Sequence, residues 1–191
     1  MKYNTVLITP GASGTYMLRD LVGINYLNNG ILNFNRHRRD PDIKNCSHVI
    51  YLYSNPYDTI LSYHRRGFTN NITHCKHMGG DVNLLKKNLT DNLLSHLNLE
   101  IDPFGIKDHF MRYFNFDKRN YKIMFVKYEN LDNHIDEVLK WLNSEDKIYN
   151  FSFKKRNSRW EDESEEVKIL LKKKFGQHKD FLDKLPSIIY K

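Results

Sequence analysis

Cysteine is scarce: among 191 residues only Cys46 and Cys75 carry a thiol. Two thiols cannot form the disulfide framework of a small secreted domain, so a reducing, cytoplasmic setting is expected. The cluster His74-Cys75-Lys76-His77 has too few ligands for a zinc site and no second cluster at finger spacing. It reads as a solvated loop, and no metal is expected. Apolar runs are also short. None approaches the ~18 residues that span a bilayer, so a membrane-spanning helix is not expected, nor is a membrane partner. Glycine and proline, at 9 and 5 residues, are too few for a low-complexity or linker-rich chain. With no repeat and no linker, 1–191 reads as a single domain long enough for a sizeable core. No signal peptide is expected, and the sequons at Asn45, Asn71, Asn88 and Asn150 read as chance occurrences in an Asn-rich chain.

Acidic residues are the minority charge. Lys and Arg number 30 against 23 Asp and Glu, a formal net charge of +7. That balance favours anionic partners: a nucleotide, a phosphorylated or sulfated substrate, nucleic acid, or an acidic membrane surface. The basic residues are dispersed and no aromatic–basic RNA motif occurs, so a nucleic-acid partner is not expected.

Periodicity gives the elements. Tyr3–Thr9 reads as a buried strand and Thr15–Ile24 as a helix, with Ile31–Asn35 a short second strand and Arg36–Ser47 a loop. His48–Ser54 is the clearest core strand, followed by a helix over Asp58–Arg66 with Asn55 as cap and Pro56 in its first turn. Gly67–Asp81 lacks periodicity and reads as a mobile loop. Amphipathic helices are predicted over Val82–Leu99 and Phe104–Phe116, a core strand over Tyr121–Tyr128 and a helix over Leu131–Leu142. A basic loop, Phe153–Trp160, then leads to a charged helix, Glu161–Phe175, and a short tail. Alternating strands and helices argue for an α/β, three-layer fold around a central, mostly parallel sheet. Such sheets bind ligands at the carboxyl ends of their strands. All three strong strands end in polar, motif-like sequence.

The first of these ends is Pro10-Gly11-Ala12-Ser13-Gly14-Thr15. Glycine there permits the positive φ values of an anion-binding nest, and the helix after it aims its positive end at the same place. A P-loop nucleotidase would need G-x-x-x-x-G-K-[ST], but Thr15 follows Gly14 directly and the lysine is absent. The second end is Ser54-Asn55-Pro56-Tyr57-Asp58, with Ser62-Tyr63 a turn further on. The third is Tyr128-Glu129-Asn130-Leu131, and late in the chain comes Lys154-Lys155-Arg156-Asn157-Ser158-Arg159-Trp160.

In order, spacing and strand context these segments resemble the cytosolic-type sulfotransferase superfamily over roughly residues 3–175, in a compact form with short substrate loops. The resemblance implies a P-loop-like sulfotransferase fold and transfer of a sulfuryl group from 3′-phosphoadenosine 5′-phosphosulfate (PAPS) to a hydroxyl or amine, with PAP as product. Gly11, Ala12, Ser13, Gly14, Thr15 and Tyr16 would form the 5′-phosphosulfate loop. Ser54, Ser62, Arg156 and Arg159 would serve the 3′-phosphate. In many members a histidine in the loop before the second motif takes the acceptor proton; His37 occupies that region, among basic neighbours that favour its neutral form. The acceptor would be a small molecule, a glycan or a peptide, and the protein a monomer or homodimer.

Two departures stand out. Gly11-Ala12 replaces the family's loop lysine, and Ser54 replaces the arginine that opens the second motif. Each removes a charge-assisted contact of roughly 1.5–3 kcal/mol. Arg19, Arg36, Arg38, Arg39, Arg65 and Arg66 are available substitutes. Two other readings follow: a PAP- or anion-binding protein of the same fold without turnover, and a P-loop-type small-molecule kinase, against which the missing lysine counts.

Overall fold

The computed structural model describes residues 3–11, 32–33, 37–88, 92–142 and 159–191. It is an α/β structure with one mixed, mostly parallel sheet. The chain divides into two compact units, one of Met1–Tyr53, Phe116–Lys155 and Pro186–Lys191, the other of Ser54–Asn115 and Arg156–Leu185.

The first unit carries the sheet. Its strands are β1 (Tyr3–Ile8), the two-residue β2 (Leu32–Asn33), β3 (Cys46–Tyr53), β4 (Lys122–Lys127) and β5 (Ile188–Tyr190), in the order β2-β1-β3-β4-β5. β1, β3 and β4 are parallel neighbours, with Ile8 opposite Tyr51 and Tyr53 opposite Lys127, so their carboxyl ends lie at one edge. Val49–Tyr53 and Ile123–Val126 are buried without a break, as strands covered on both faces must be. Side chains alternate across the pleat. Ile50, Leu52, Met124 and Val126 share a core with Leu131, Val138, Leu139 and Leu142. That segment is a 3₁₀ turn over Tyr128–His134 running into α6 (Ile135–Trp141). Each fully buried aliphatic side chain contributes about 1.5–3 kcal/mol.

β5 has no counterpart in the predicted elements, which end in a tail. Three residues are too few to show an alternation. The strand exists because β4 offers it an edge: Ile123 and Lys191 exchange both N–H···O bonds at 2.9 Å, antiparallel.

The second unit is helical. Pro56 and the Asn55 cap, whose side chain accepts from the Tyr57 amide, start α1 (Pro56–Arg65) where expected. The supposed mobile loop 67–81 contains α2 (Ile72–Met78), capped by Asn71 and closed by Gly79. The long helix predicted over 82–99 is instead two short ones, α3 (Val82–Lys87) and α4 (Leu93–Leu97), each with its own Asp or Asn cap. Cap side chains competing for backbone amides outweighed the hydrophobic spacing. α5 (Ile106–Phe114) begins where the Asp102 carboxylate accepts from the amides of Phe104 and Ile106. α7 (Glu165–Asp183) starts at the Ser164 cap and runs two turns past the predicted end. Gly80 is required by a close approach: a Cβ there would lie 2.1 Å from the Pro103 carbonyl oxygen.

Among the described residues no helix is long and apolar enough to cross a membrane.

Candidate functional site

In the sheet unit, polar groups gather just beyond β1. Thr9 is fully buried at the strand's end. Its hydroxyl accepts from the Gly11 amide at 3.1 Å, and Gly11 sits at φ 104°, a backbone conformation that a side chain would strain. The Thr9 carbonyl lies 3.1 Å from Nδ1 of His37, a half-buried residue in the loop after β2. The predicted base and the first residue of the predicted anion loop therefore meet on one threonine. Ala12, Ser13, Gly14, Thr15, Tyr16 and Arg156 lie outside the described residues, as does the helix predicted over 15–24.

The second motif lies wholly in the helical unit. Ser54, in the arginine's place, is buried with its hydroxyl 2.8 Å from that of Thr59, which in turn donates to the Asn55 carbonyl at 3.1 Å. This short ladder holds the turn into α1. Ser62 is 3% exposed and stands one helical turn beyond Asp58, on the same face. Asp58, 8% exposed, accepts from the Trp160 amide at 2.9 Å across 102 positions of sequence. The Trp160 ring meets Tyr57 edge-on at 5.0 Å, and the Lys172 ammonium stands 5.7 Å over it. Lys179 lies 5.9 Å over Tyr57. Within this unit, then, the second motif and the end of the late basic segment are tied to each other.

The sequence does not show that tie. Asp58 stands in the second motif, but nothing in its spacing announces a partner on Trp160. In the sequence Thr9 reads only as a strand terminus.

Several predicted residues prove occupied. Arg159 is exposed and faces Glu161 and Asp162 at 3.8 Å each, so its charge is shared with two carboxylates. Arg38 folds onto its own loop, donating to the carbonyls of Asp40 and Asp42 at 2.8 Å. Arg39, Arg65 and Arg66 are exposed; Arg19 and Arg36 fall outside the described residues.

The segment His74–His77 corrects the expectation of a solvated loop. It lies in α2 with His74 and Cys75 buried, and only Lys76 and His77 face solvent. The Cys75 thiol donates to the Pro103 carbonyl at 3.1 Å, and burial, reinforced by Asp102 and Asp81, pushes its pKa up to about 11. A thiol so held is a poor nucleophile. Among the described residues no three His, Cys, Asp or Glu side chains converge as metal ligands. His48, in β3, contacts Ser47 through Nδ1 at 2.9 Å and packs edge-on against Trp141.

The chain matches no protein-family model, and no curated protein matches it.

Proposed function

We propose that this chain is a PAPS-dependent sulfotransferase that moves a sulfuryl group to a hydroxyl or amine on a small-molecule, glycan or peptide acceptor. The observation that carries the reading is the meeting of His37 and the Gly11 turn on Thr9, at the carboxyl end of a central parallel strand. A glycine turn at such a place suits a phosphosulfate loop whose donors would be the amides beyond Gly11, since the Gly11 amide is itself held by Thr9, and an imidazole beside it suits the acceptor's proton. The Asp58–Trp160 tie gives further support, since the resemblance pairs the second motif with the late basic segment. No metal enters this chemistry; charge would be held by amides, hydroxyls and the remaining basic residues.

Thermal shift against PAP, PAPS, ATP and an oligonucleotide tests the reading. PAP and PAPS should raise the melting temperature, and ATP and the oligonucleotide should not. Sulfuryl transfer to a broad acceptor panel then tests turnover. Preferential stabilisation by ATP would favour a kinase, and no response to PAP would remove the proposal.

A second reading, binding without turnover, is favoured by Ser54. A serine offers no positive charge at the arginine's position, and its hydroxyl is already engaged with Thr59. Ala12→Lys separates the two readings. It should raise the transfer rate if charge limits the step, and leave an inert binding protein inert.

A further inference from the structure

We propose that Thr9 is a positioning residue that selects the proton-accepting nitrogen of His37 and anchors the start of the anion loop. A carbonyl oxygen can only accept, so the 3.1 Å contact between the Thr9 carbonyl and His37 Nδ1 requires a hydrogen on Nδ1. In the neutral imidazole the lone pair then falls on Nε2. Exposed histidines in peptides favour the opposite tautomer, so the carbonyl reverses a default. A hydrogen bond at one ring nitrogen that decides the job of the other is how imidazoles are set for proton transfer.

The other polar atom of Thr9 serves the loop. Its hydroxyl receives the Gly11 amide at 3.1 Å, which holds that residue in its left-handed turn. Thr9 is fully buried, so both contacts are shielded from water. One buried residue therefore sets the register of both groups, and the two cannot drift apart without breaking a bond to it.

Thr9 has this role in turnover only if His37 is the base, as proposed above; the tautomer itself does not depend on that reading. In the reaction the acceptor's O–H proton passes to Nε2 and the acceptor oxygen bonds to sulfur. The bond from sulfur to the phosphate oxygen breaks, and its electron pair leaves with PAP. The imidazolium so formed keeps its Nδ1–H on the Thr9 carbonyl, where the bond is stronger for being charge-assisted.

The test is nitrogen NMR of the full chain labelled at histidine, at a pH where His37 is neutral, with His37→Gln to assign its signals. A protonated Nδ1 and an unprotonated Nε2 are expected; the reverse pattern, or a pair averaged between the two forms, would overturn the assignment. Thr9→Val keeps the shape and removes the hydroxyl, and should weaken PAP binding about tenfold, with Thr9→Ser restoring it. Equal affinity in all three proteins would overturn the loop anchor. If native protein fails to bind PAP while the expected tautomer is present, the sulfotransferase reading falls and takes the role in turnover with it. Transfer that survives His37→Gln would overturn that role alone.

Discussion

The two units solve burial with different chemistry. The sheet unit's core is aliphatic where its strands meet α6, built from Leu7, Ile50, Leu52, Met124 and Val126. Its described buried residues include no histidine, whereas the helical unit buries His74, His96, His109 and His178. Those imidazoles pack among rings. His74 lies against Tyr63 at 4.8 Å, His96 stacks on Phe104 at 5.8 Å, and His178 meets Phe110 at 5.8 Å. The Nε2 of His96 and the Nδ1 of His178 have no hydrogen-bond partner. A sheet satisfies its backbone internally and can be filled with hydrocarbon. Short capped helices leave irregular gaps, which flat rings fill at the cost of groups that can take a proton.

The largest expected effect is therefore acid sensitivity confined to the helical unit. Burial, helped by Lys174 and His64 at His96 and by Lys107 at His178, lowers each pKa to about 4. The unfolded chain binds these protons near pH 6.5 and the folded chain does not, so stability present above pH 6.5 is lost as pH falls toward 4. Each group accounts for about 3 kcal/mol over that window. Two tryptophans make the comparison measurable, since Trp141 belongs to the sheet unit and Trp160 to the helical one. In Trp141→Phe the remaining fluorescence should report a transition that moves steeply with pH. A midpoint flat from pH 7 to pH 4 would break the contrast.

Next comes Phe104→Ala. This fully buried ring touches Tyr63, His74 and His96, and its loss should cost about 3–5 kcal/mol in urea unfolding. Water admitted beside His96 should also raise that histidine's pKa toward its ordinary value. An unchanged titration would mean that the ring is not what keeps His96 dry.

Asp58→Ala is smaller. It leaves the Trp160 amide without its carboxylate, for an expected loss of about 1.5–3 kcal/mol. Faster hydrogen exchange at that amide, with the sheet amides unmoved, is the measurement. The smallest effect belongs to Arg159→Ala. Its partners are exposed carboxylates, and the unfolding midpoint should not shift measurably. A clear loss of PAP affinity in the same variant would restore Arg159 to the phosphate site.

Legibility in the sequence followed length and continuity. Val49–Tyr53 and Ile123–Val126 could be read because a parallel strand buried on both faces needs an unbroken apolar run. The start of α1 could be read because Asn55-Pro56 is local chemistry. The helical segments at 72–97 were harder. There Asn71, Asp81 and Asn92 cut the chain into short helices, whereas the spacing reads as an aperiodic loop over Gly67–Asp81 and one long helix over Val82–Leu99. The site followed the same division. Gly11 stands out in the strand–turn pattern and His37 only through the resemblance, and neither shows in the sequence the Thr9 contact that they share.

By itself the sequence determined the α/β class, the three core strands and the glycine and Asn-Pro turns that follow two of them, because each rests on interactions among near neighbours. Tertiary structure alone decided the rest. It paired β5 with β4, brought Trp160 to Asp58 and His37 to Thr9, and buried four of the six histidines of the helical unit. Those outcomes join residues far apart in the chain. A lone carbonyl or carboxylate does not show in its own sequence neighbourhood which distant donor it will accept from; only the packing of the elements that carry both decides it.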